Sequence, residues 1–142
     1  MRLDKFRQRE YQPMLNHHEI EVRVRYNECD PMGYLHHANY FTYFEIGRTE
    51  LLRAGGGNYR KMEADGMLIV VVKAECRYHR PARYDDVLRL ITKIDRVTQA
   101  KIVHKYELFR GEEHLATGYV TLAVIDCQGK VQPVPEWMLE EG

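Results

Sequence analysis

One stretch of the sequence decides the fold, and it reads Tyr26-Asn27-Glu28-Cys29-Asp30-Pro31-Met32-Gly33-Tyr34-Leu35-His36-His37-Ala38-Asn39-Tyr40. Asp30 followed by Pro31 and Gly33 favours a tight turn, because proline fixes φ and glycine tolerates positive φ. We expect a helix to begin at residues 37–39, with Asn39 as its N-cap. A helix start carries unpaired N–H groups and the positive end of the helix dipole, so it can hold the oxygen of a polarised carbonyl. The stretch therefore sets a carboxylate beside amide donors, which is what acyl transfer requires.

A long helix is predicted over residues 40–53. Its apolar side chains recur at three- and four-residue steps, and further apolar residues widen that face: Tyr40, Tyr43, Phe44, Gly47 and Leu51, then Phe41, Ile46 and Leu52. So wide an apolar face predicts burial on most sides. Gly55-Gly56-Gly57 ends this helix, and a second, shorter helix is predicted from Asn58 to Asp65.

The rest of the chain has the period of two that is typical of strands. A first strand is predicted over residues 18–26, and four more over 67–79, 87–97, 101–109 and 115–125. Alternation puts one set of side chains on a single face of the second strand: Val70, Val72, Ala74, Cys76 and Tyr78. Short turns at 98–100 and 110–113 predict consecutive antiparallel hairpins. We therefore predict an α+β fold, in which a five-stranded antiparallel sheet with four strands in a meander covers the long helix.

Composition limits the class of protein. The 142 residues predict a single domain over 1–142, with a polar arm at 1–17 and a C-terminal tail at 133–142. Lys plus Arg and Asp plus Glu number 21 each, so no net charge favours nucleic acid or an anionic membrane. No secretory signal and no membrane span are recognisable, which predicts a cytoplasmic protein. The three cysteines have no metal-ligand spacing. Cys29 adjoins the suspected turn and is a candidate nucleophile, but no base is evident beside it, so packing in the turn is the interpretation that we favour.

Two motifs carry a resemblance to a known family. The segment from Asn27 to Gly33 with His37-Ala38-Asn39-Tyr40, and the later run Arg80-Pro81-Ala82-Arg83-Tyr84-Asp85-Asp86, resemble the hotdog-fold acyl-CoA thioesterases. The branch is that of 4-hydroxybenzoyl-CoA thioesterase and the YbgC-like proteins, and the similarity runs from about Glu19 to Ile125. It implies the hotdog fold, in which the sheet wraps round the central helix.

The resemblance also implies catalytic roles. Asp30 takes the place of the family's carboxylate, as nucleophile or as the base that activates water. The alternative is that Asp30 only caps a turn. The backbone N–H of His37 takes the place of the oxyanion donor, and its imidazole either assists or only makes hydrogen bonds at the helix start.

Further residues belong to the motif or to the family helix. We expect His36, Asn39 and Tyr40 to contact substrate or shape its pocket, although relatives commonly have an aromatic residue where this chain has His36. Glu45 is a reserve candidate for the role of Asp30, and an ion pair between Glu45 and Arg48 is the simpler interpretation. Basic residues near strand ends are possible phosphate contacts for coenzyme A: Arg77, Arg80, Arg83, Arg96 and Lys101.

The predicted activity is hydrolysis of an acyl-CoA thioester to free acid and CoA, with no metal and no other cofactor. The resemblance implies a homodimer with active sites at the subunit interface, assembled into a homotetramer. Two alternatives are a hotdog dehydratase or hydratase that relies on His37 and Glu45, and a non-catalytic module that binds acyl-CoA or acyl carrier protein. Acyl carrier protein is also a possible thiol carrier for the hydrolase.

Overall fold

The structure is a computed structural model that describes residues 15–57 and 59–139. Its strands are β1 (His17–Arg23), β2 (Leu68–Tyr78), β3 (Val87–Val97), β4 (Ile102–Arg110), β5 (Glu113–Ile125) and β6 (Val131–Gln132). Its helices are α1 (Asn39–Ala54), α2 (Tyr59–Ala64) and α3 (Glu136–Leu139). This is the predicted α+β arrangement of an antiparallel sheet and one long helix. The two-residue strand β6, which pairs with β5, was not predicted.

The strand order corrects one detail of the prediction. The sheet runs β1-β3-β4-β5-β2, so the hairpins of β3, β4 and β5 are as expected, whereas β2 pairs with β5 at the far edge. The four-strand meander is therefore wrong. The segment between β2 and β3 does not close a hairpin, because it pairs instead with the stretch that precedes α1. Leu35 N–H donates to the Ala82 carbonyl at 2.8 Å, and Tyr34 forms a β-bridge with Arg83.

A β-bulge changes which side chains of β2 face the helix. The register with β5 shifts between Val71 and Lys73, which leaves Val72 as the extra residue. Before the bulge, it is Ile69 that packs on the core, and not Val70 as the alternation predicted. Val71 and Val72 are both about half exposed, at 51% and 54%. The edge strand of the sheet thus presents apolar side chains to solvent.

Helix α1 lies very close to the sheet at two glycines. A Cβ on Gly47 would be 2.4 Å from Thr92 Oγ1, and a Cβ on Gly118 of β5 would be 2.3 Å from the Phe44 ring. Phe44 is fully buried and stacks on Tyr106 of β4, with 4.4 Å between ring centroids. The predicted apolar face of the helix is buried except for Phe41, which is partly buried, and Ile46, which is 40% exposed. The helix is thus buried on its sheet side rather than all round.

The predicted ends differ a little from the structure. Of the arm predicted at 1–17, residues 1–14 lie outside the described residues. His17, its last predicted residue, is already the first residue of β1. Asn58, the predicted start of the second helix, is not described either, and α2 is seen from Tyr59. The tail contains the short helix α3, with Trp137 and Met138 buried; residues 140–142 are outside the description. None of the described helices is long and apolar enough to cross a membrane.

Candidate active site

The turn at Asp30 is held by one oxygen of its own carboxylate. Oδ1 accepts hydrogen bonds from the backbone N–H groups of Met32 at 2.9 Å and Tyr34 at 3.2 Å. Gly33 completes the turn at φ 83°, a value that favours glycine, and its N–H donates to the Asp30 carbonyl. Oδ2 of this half-buried side chain has no hydrogen-bond partner among the described residues. One carboxylate oxygen therefore fixes the loop while the other is free to accept a proton or attack a carbon.

Glu28 fastens the same loop to helix α1. Its carboxylate Oε1 accepts hydrogen bonds from the Tyr43 hydroxyl at 2.7 Å and from the Arg25 N–H at 2.8 Å. Its carbonyl accepts from the His36 N–H at 2.9 Å and from Asn39 Nδ2 at 2.8 Å. Burial, and then the hydrogen bond to Glu28, raise the pKa of Tyr43, so the phenol stays a donor. Four hydrogen bonds thus converge on the residue two positions before Asp30.

The start of α1 differs from the prediction for Asn39. Ala38 is the N-cap and has no side chain that can cap, while Asn39 is the first helical residue. The Asn39 side chain reaches back to the Glu28 carbonyl instead of capping its own helix. The capping contact comes from His36, whose Nδ1 accepts the Ala38 N–H at 3.1 Å. Because Nδ1 is the acceptor in this contact, it carries no hydrogen there.

The amide of His37 is unoccupied at this helix start. The neighbouring N–H groups of His36, Ala38 and Asn39 all have acceptors, whereas that of His37 has none within the part of the chain described here. Its carbonyl accepts a 2.8 Å hydrogen bond from the Tyr78 hydroxyl. Burial raises the pKa of Tyr78 to about 12, so this hydroxyl is protonated near neutral pH. One backbone donor is therefore held in place and left open.

Asp30 and His37 line the same cavity of about 250 Å³, together with Tyr40 and five other residues: Leu35, Tyr78, His79, Arg80 and Pro81. Three of the predicted site residues are thus brought together. His36 and Asn39 do not line this cavity; His36 stacks on His37, with 4.2 Å between ring centroids. Tyr40 is 2% exposed and its hydroxyl accepts the Ala82 N–H at 3.3 Å.

Glu45 lies elsewhere. It lines a different cavity with Arg48, Thr49 and Tyr59, and Asp30 is not part of that cavity. The predicted ion pair between Glu45 and Arg48 is also wrong, since no ion pair joins these two described residues. Glu45 lies eight positions after His37, and most of the residues between them are helical. This spacing corresponds to roughly 12 Å along a helix axis.

Sequence reasoning missed Tyr78 and His79 as cavity residues. Arg80 was included only as one of five possible phosphate contacts, and it is the only one of those five in this cavity. Its guanidinium lies 3.5 Å from Glu113. The signal that could have found these residues is the second motif, Arg80 to Asp86, because it pairs with the chain at Tyr34 and Leu35.

Cys29 is not suited to act as a nucleophile. Burial, followed by the charges of Asp30, Glu28 and Asp86, raises the pKa of its thiol, and Sγ contacts the Arg25 carbonyl at 3.7 Å. A protonated thiol is a poor nucleophile. Within residues 15–57 and 59–139, no three His, Cys, Asp or Glu side chains are grouped so that they could hold a metal ion.

Comparison with known proteins places this arrangement in a class. An antiparallel sheet packed over one long helix is the hotdog fold, which the solved thioesterase structures that resemble this chain share. A family model described as "Thioesterase-like superfamily" matches residues 24–142, and the chain belongs to this family.

Individual relatives agree with the family assignment. The chain is 33% identical over 120 residues to the acyl-CoA thioesterase YbgC of Haemophilus influenzae, covering 84% of this chain and 88% of that protein. It is 31% identical over 112 residues to the acyl-CoA thioester hydrolase YbgC of Escherichia coli O6:H1, covering 79% and 84%. The crystal structure of a probable thioesterase from Bartonella henselae superimposes with a TM-score of 0.79 at 33% identity, covering 84% and 99%.

Proposed function

We propose that the protein is an acyl-CoA thioesterase that hydrolyses its substrate with Asp30 and the backbone N–H of His37. The observation that carries this proposal is that Asp30 and His37 line one cavity, while one oxygen of the Asp30 carboxylate and the His37 amide have no hydrogen-bond partner among the described residues. The names of the two YbgC relatives supply the substrate class, an acyl-CoA thioester.

In the proposed reaction the thioester carbonyl oxygen accepts a hydrogen bond from the His37 N–H. Asp30 Oδ2 then either removes a proton from water, which attacks the carbonyl carbon, or attacks that carbon itself to form a mixed anhydride that water cleaves. In both routes the C–S bond breaks, CoA leaves as the thiol or thiolate, and the acyl group leaves as a carboxylic acid. A single oxyanion donor contributes about 3 kcal/mol to such a reaction. The reaction as proposed uses water and this chain's own groups, without a cofactor.

The cavity also offers groups for holding the substrate. Arg80 is at its edge and carries the positive charge that a CoA phosphate requires, although Glu113 competes for it. Tyr40, Leu35 and Pro81 give an apolar wall for the acyl group. His36 and Asn39 act indirectly in this proposal: His36 caps the helix start, and Asn39 ties it to Glu28.

We further propose that the chain works as a homodimer in which the β2 edges of two copies pair. β2 is eleven residues long and lies at an edge of the sheet, where Val71 and Val72 are exposed. Long apolar edges are usually covered in proteins, and pairing across a two-fold axis does so. Static light scattering tests the dimer. The homotetramer, the cytoplasmic location and any role of acyl carrier protein stay predictions.

A panel of acyl thioesters tests the activity. Short-chain, long-chain and aromatic acyl-CoAs are incubated with the wild-type protein, and free thiol is measured; acyl carrier protein thioesters form a second arm. The proposal requires at least one acyl-CoA to be cleaved at a rate proportional to enzyme concentration. Binding without turnover would favour the binding module. Hydration of an enoyl-CoA without thiol release would favour the hydratase. That reaction would need Glu45 and His37 at one site, whereas they line different cavities in this chain.

A further inference from the structure

Arg48 is a half-buried cation on α1 that has no anionic partner among the described residues. It makes no ion pair within the described part of the chain, and no contact of Arg48 with other residues provides a carboxylate. Arg53, the next arginine on the same helix, does pair with Glu50. The hydroxyls of Tyr59 and Tyr106 lie within hydrogen-bonding reach of the Arg48 guanidinium but bring no countercharge, so a bound anion would be favoured there.

Two buried polar atoms lie near Arg48: Nδ1 of His104 has no hydrogen-bond partner among the described residues, whereas the Tyr106 hydroxyl lies within reach of the Arg48 guanidinium. These β4 residues are 5% and 0% exposed. Burial, with the Arg48 charge second, lowers the pKa of His104 to about 3; burial raises that of Tyr106 to about 12, with Arg48 opposing the rise. Both side chains are therefore neutral at pH 7, and the charge of Arg48 affects the pKa of each of them.

Arg48 and Tyr59 line two neighbouring cavities, which also share Ile69 and Leu122. The outer cavity measures about 220 Å³, or the volume of roughly seven water molecules. The inner one measures only about 30 Å³ and is mostly apolar, with His104 and Trp137 in its wall. The outer space admits a small organic molecule, and the inner one continues it as a narrow apolar cleft.

Glu45 and Glu63 also line the outer cavity and would repel an anion. Both are exposed, so water and salt screen their charges. Arg48 is half-buried and screened less, and His104, whose Nδ1 has no partner among the described residues, lines the inner cavity beside it. The position of the charges thus favours an anionic group at Arg48 with the rest of the molecule against Ile69 and Leu122.

We propose that this cavity is a binding site for a small organic carboxylate, whose carboxylate group pairs with Arg48 and whose apolar part lies against Ile69, Tyr59 and Leu122. The site is separate from the Asp30 cavity, with which it shares no lining residue. The proposal does not depend on the thioesterase activity.

The protein contains a single tryptophan, Trp137, and this residue lines the inner cavity. Its fluorescence therefore reports on the site without a label. Hexanoate is titrated into the protein at pH 7, with hexanol and hexylamine as probes of the same chain length, and melting temperature is followed in parallel. The expected result is a saturable fluorescence change and a higher Tm with hexanoate, with weaker or no effects from the other two.

Variants separate the site from general effects. Arg48→Gln is expected to weaken hexanoate binding about tenfold or more, since a charge-assisted contact is lost. Arg48→Lys keeps a charge, so its affinity for hexanoate is expected to lie between those of the wild type and Arg48→Gln. It replaces Arg48→Gln in the test if that variant does not fold. Arg53→Gln, the matched control, and Asp30→Asn are expected to bind as the wild type does. Equal binding of hexanol, tighter binding of hexylamine, unchanged binding by both Arg48 variants, or no saturable signal would overturn the proposal.

Discussion

The Tyr43 hydroxyl donates a 2.7 Å hydrogen bond to the Glu28 carboxylate, and this contact connects the buried face of α1 to the loop that carries Asp30. Tyr43 is 1% exposed, so the bond is shielded from water on the phenol side. Because Glu28 is two residues from Asp30, loss of this bond should affect the position of the carboxylate as well as stability.

Tyr43→Phe is therefore expected to lower the free energy of unfolding by about 2 kcal/mol, the typical value for a hydrogen bond to a charged group. It is also expected to lower kcat, because the Asp30 loop loses its attachment to the helix. Urea denaturation and thiol release measure the two effects. Tyr84→Phe, at an exposed tyrosine, is the control and should change neither. Equal behaviour of the two variants would contradict this account.

The close approach of β5 to α1 predicts overpacking at Gly118. Gly118→Ala would place its Cβ 2.3 Å from the Phe44 ring, and we expect a loss of about 1–3 kcal/mol in unfolding free energy. In the double variant with Phe44→Leu, the two effects should be less than additive, because the smaller side chain makes room. Strict additivity in urea denaturation would show that the two residues are not in contact.

The proposed oxyanion donor belongs to the main chain, which gives a matched pair of variants at one position. His37→Ala keeps the N–H and is expected to retain most of kcat. His37→Pro removes the N–H and is expected to lower kcat about 10²–10³-fold. Circular dichroism and Tm establish that each variant folds. A folded proline variant with near wild-type kcat would exclude the His37 amide as the donor.

Burial of His104 predicts an acid-sensitive stability. Its pKa falls from an ordinary value of 6.5 to about 3, mainly because burial disfavours the charged imidazole. Between these pH values the unfolded chain binds more protons, so the folded state loses up to about 1.4 kcal/mol per pH unit as pH falls below 6.5. Above pH 6.5 the imidazole is neutral in both the folded and the unfolded chain, so this loss of stability is absent there.

Urea denaturation at pH 7, 6, 5 and 4 measures this effect. His104→Leu should show a shallower decline than the wild type, whereas His17→Gln, at an exposed histidine, should decline in parallel with it. Parallel curves for the wild type and His104→Leu would show that the buried imidazole does not control the acid transition.

Local patterns predicted the elements whose signals are local. The three- and four-residue spacing from Tyr40 to Leu52 located α1, and alternation located β3, β4 and β5 to within two residues at each end. The Asp30 turn followed from Pro31 and Gly33. These features depend on residues that are neighbours in sequence, so residue type and spacing are enough to predict them.

What the sequence could not predict depends on contacts between distant segments. The pairing of β2 with β5 depends on residues 79–86 packing against the chain before α1, and the bulge at Val72 shows only in the register. Tyr78 bonds to a carbonyl 41 positions away. Asn39 was predicted to be an N-cap because of its residue type, but its side-chain amide donates a hydrogen bond to the Glu28 carbonyl instead. Which cavity Glu45 lines likewise depends on tertiary packing.

The most direct test of the central claim compares Asp30→Asn with Glu45→Gln on the best acyl-CoA substrate. Asn keeps the oxygen that accepts the Met32 and Tyr34 N–H groups, so the turn should survive while the base or nucleophile is lost. The account predicts that Asp30→Asn loses at least about 10³-fold in kcat with an unchanged Tm, and that Glu45→Gln stays within a few-fold of the wild type. The reverse pattern, or full activity of a folded Asp30→Asn protein, would contradict the assignment of Asp30.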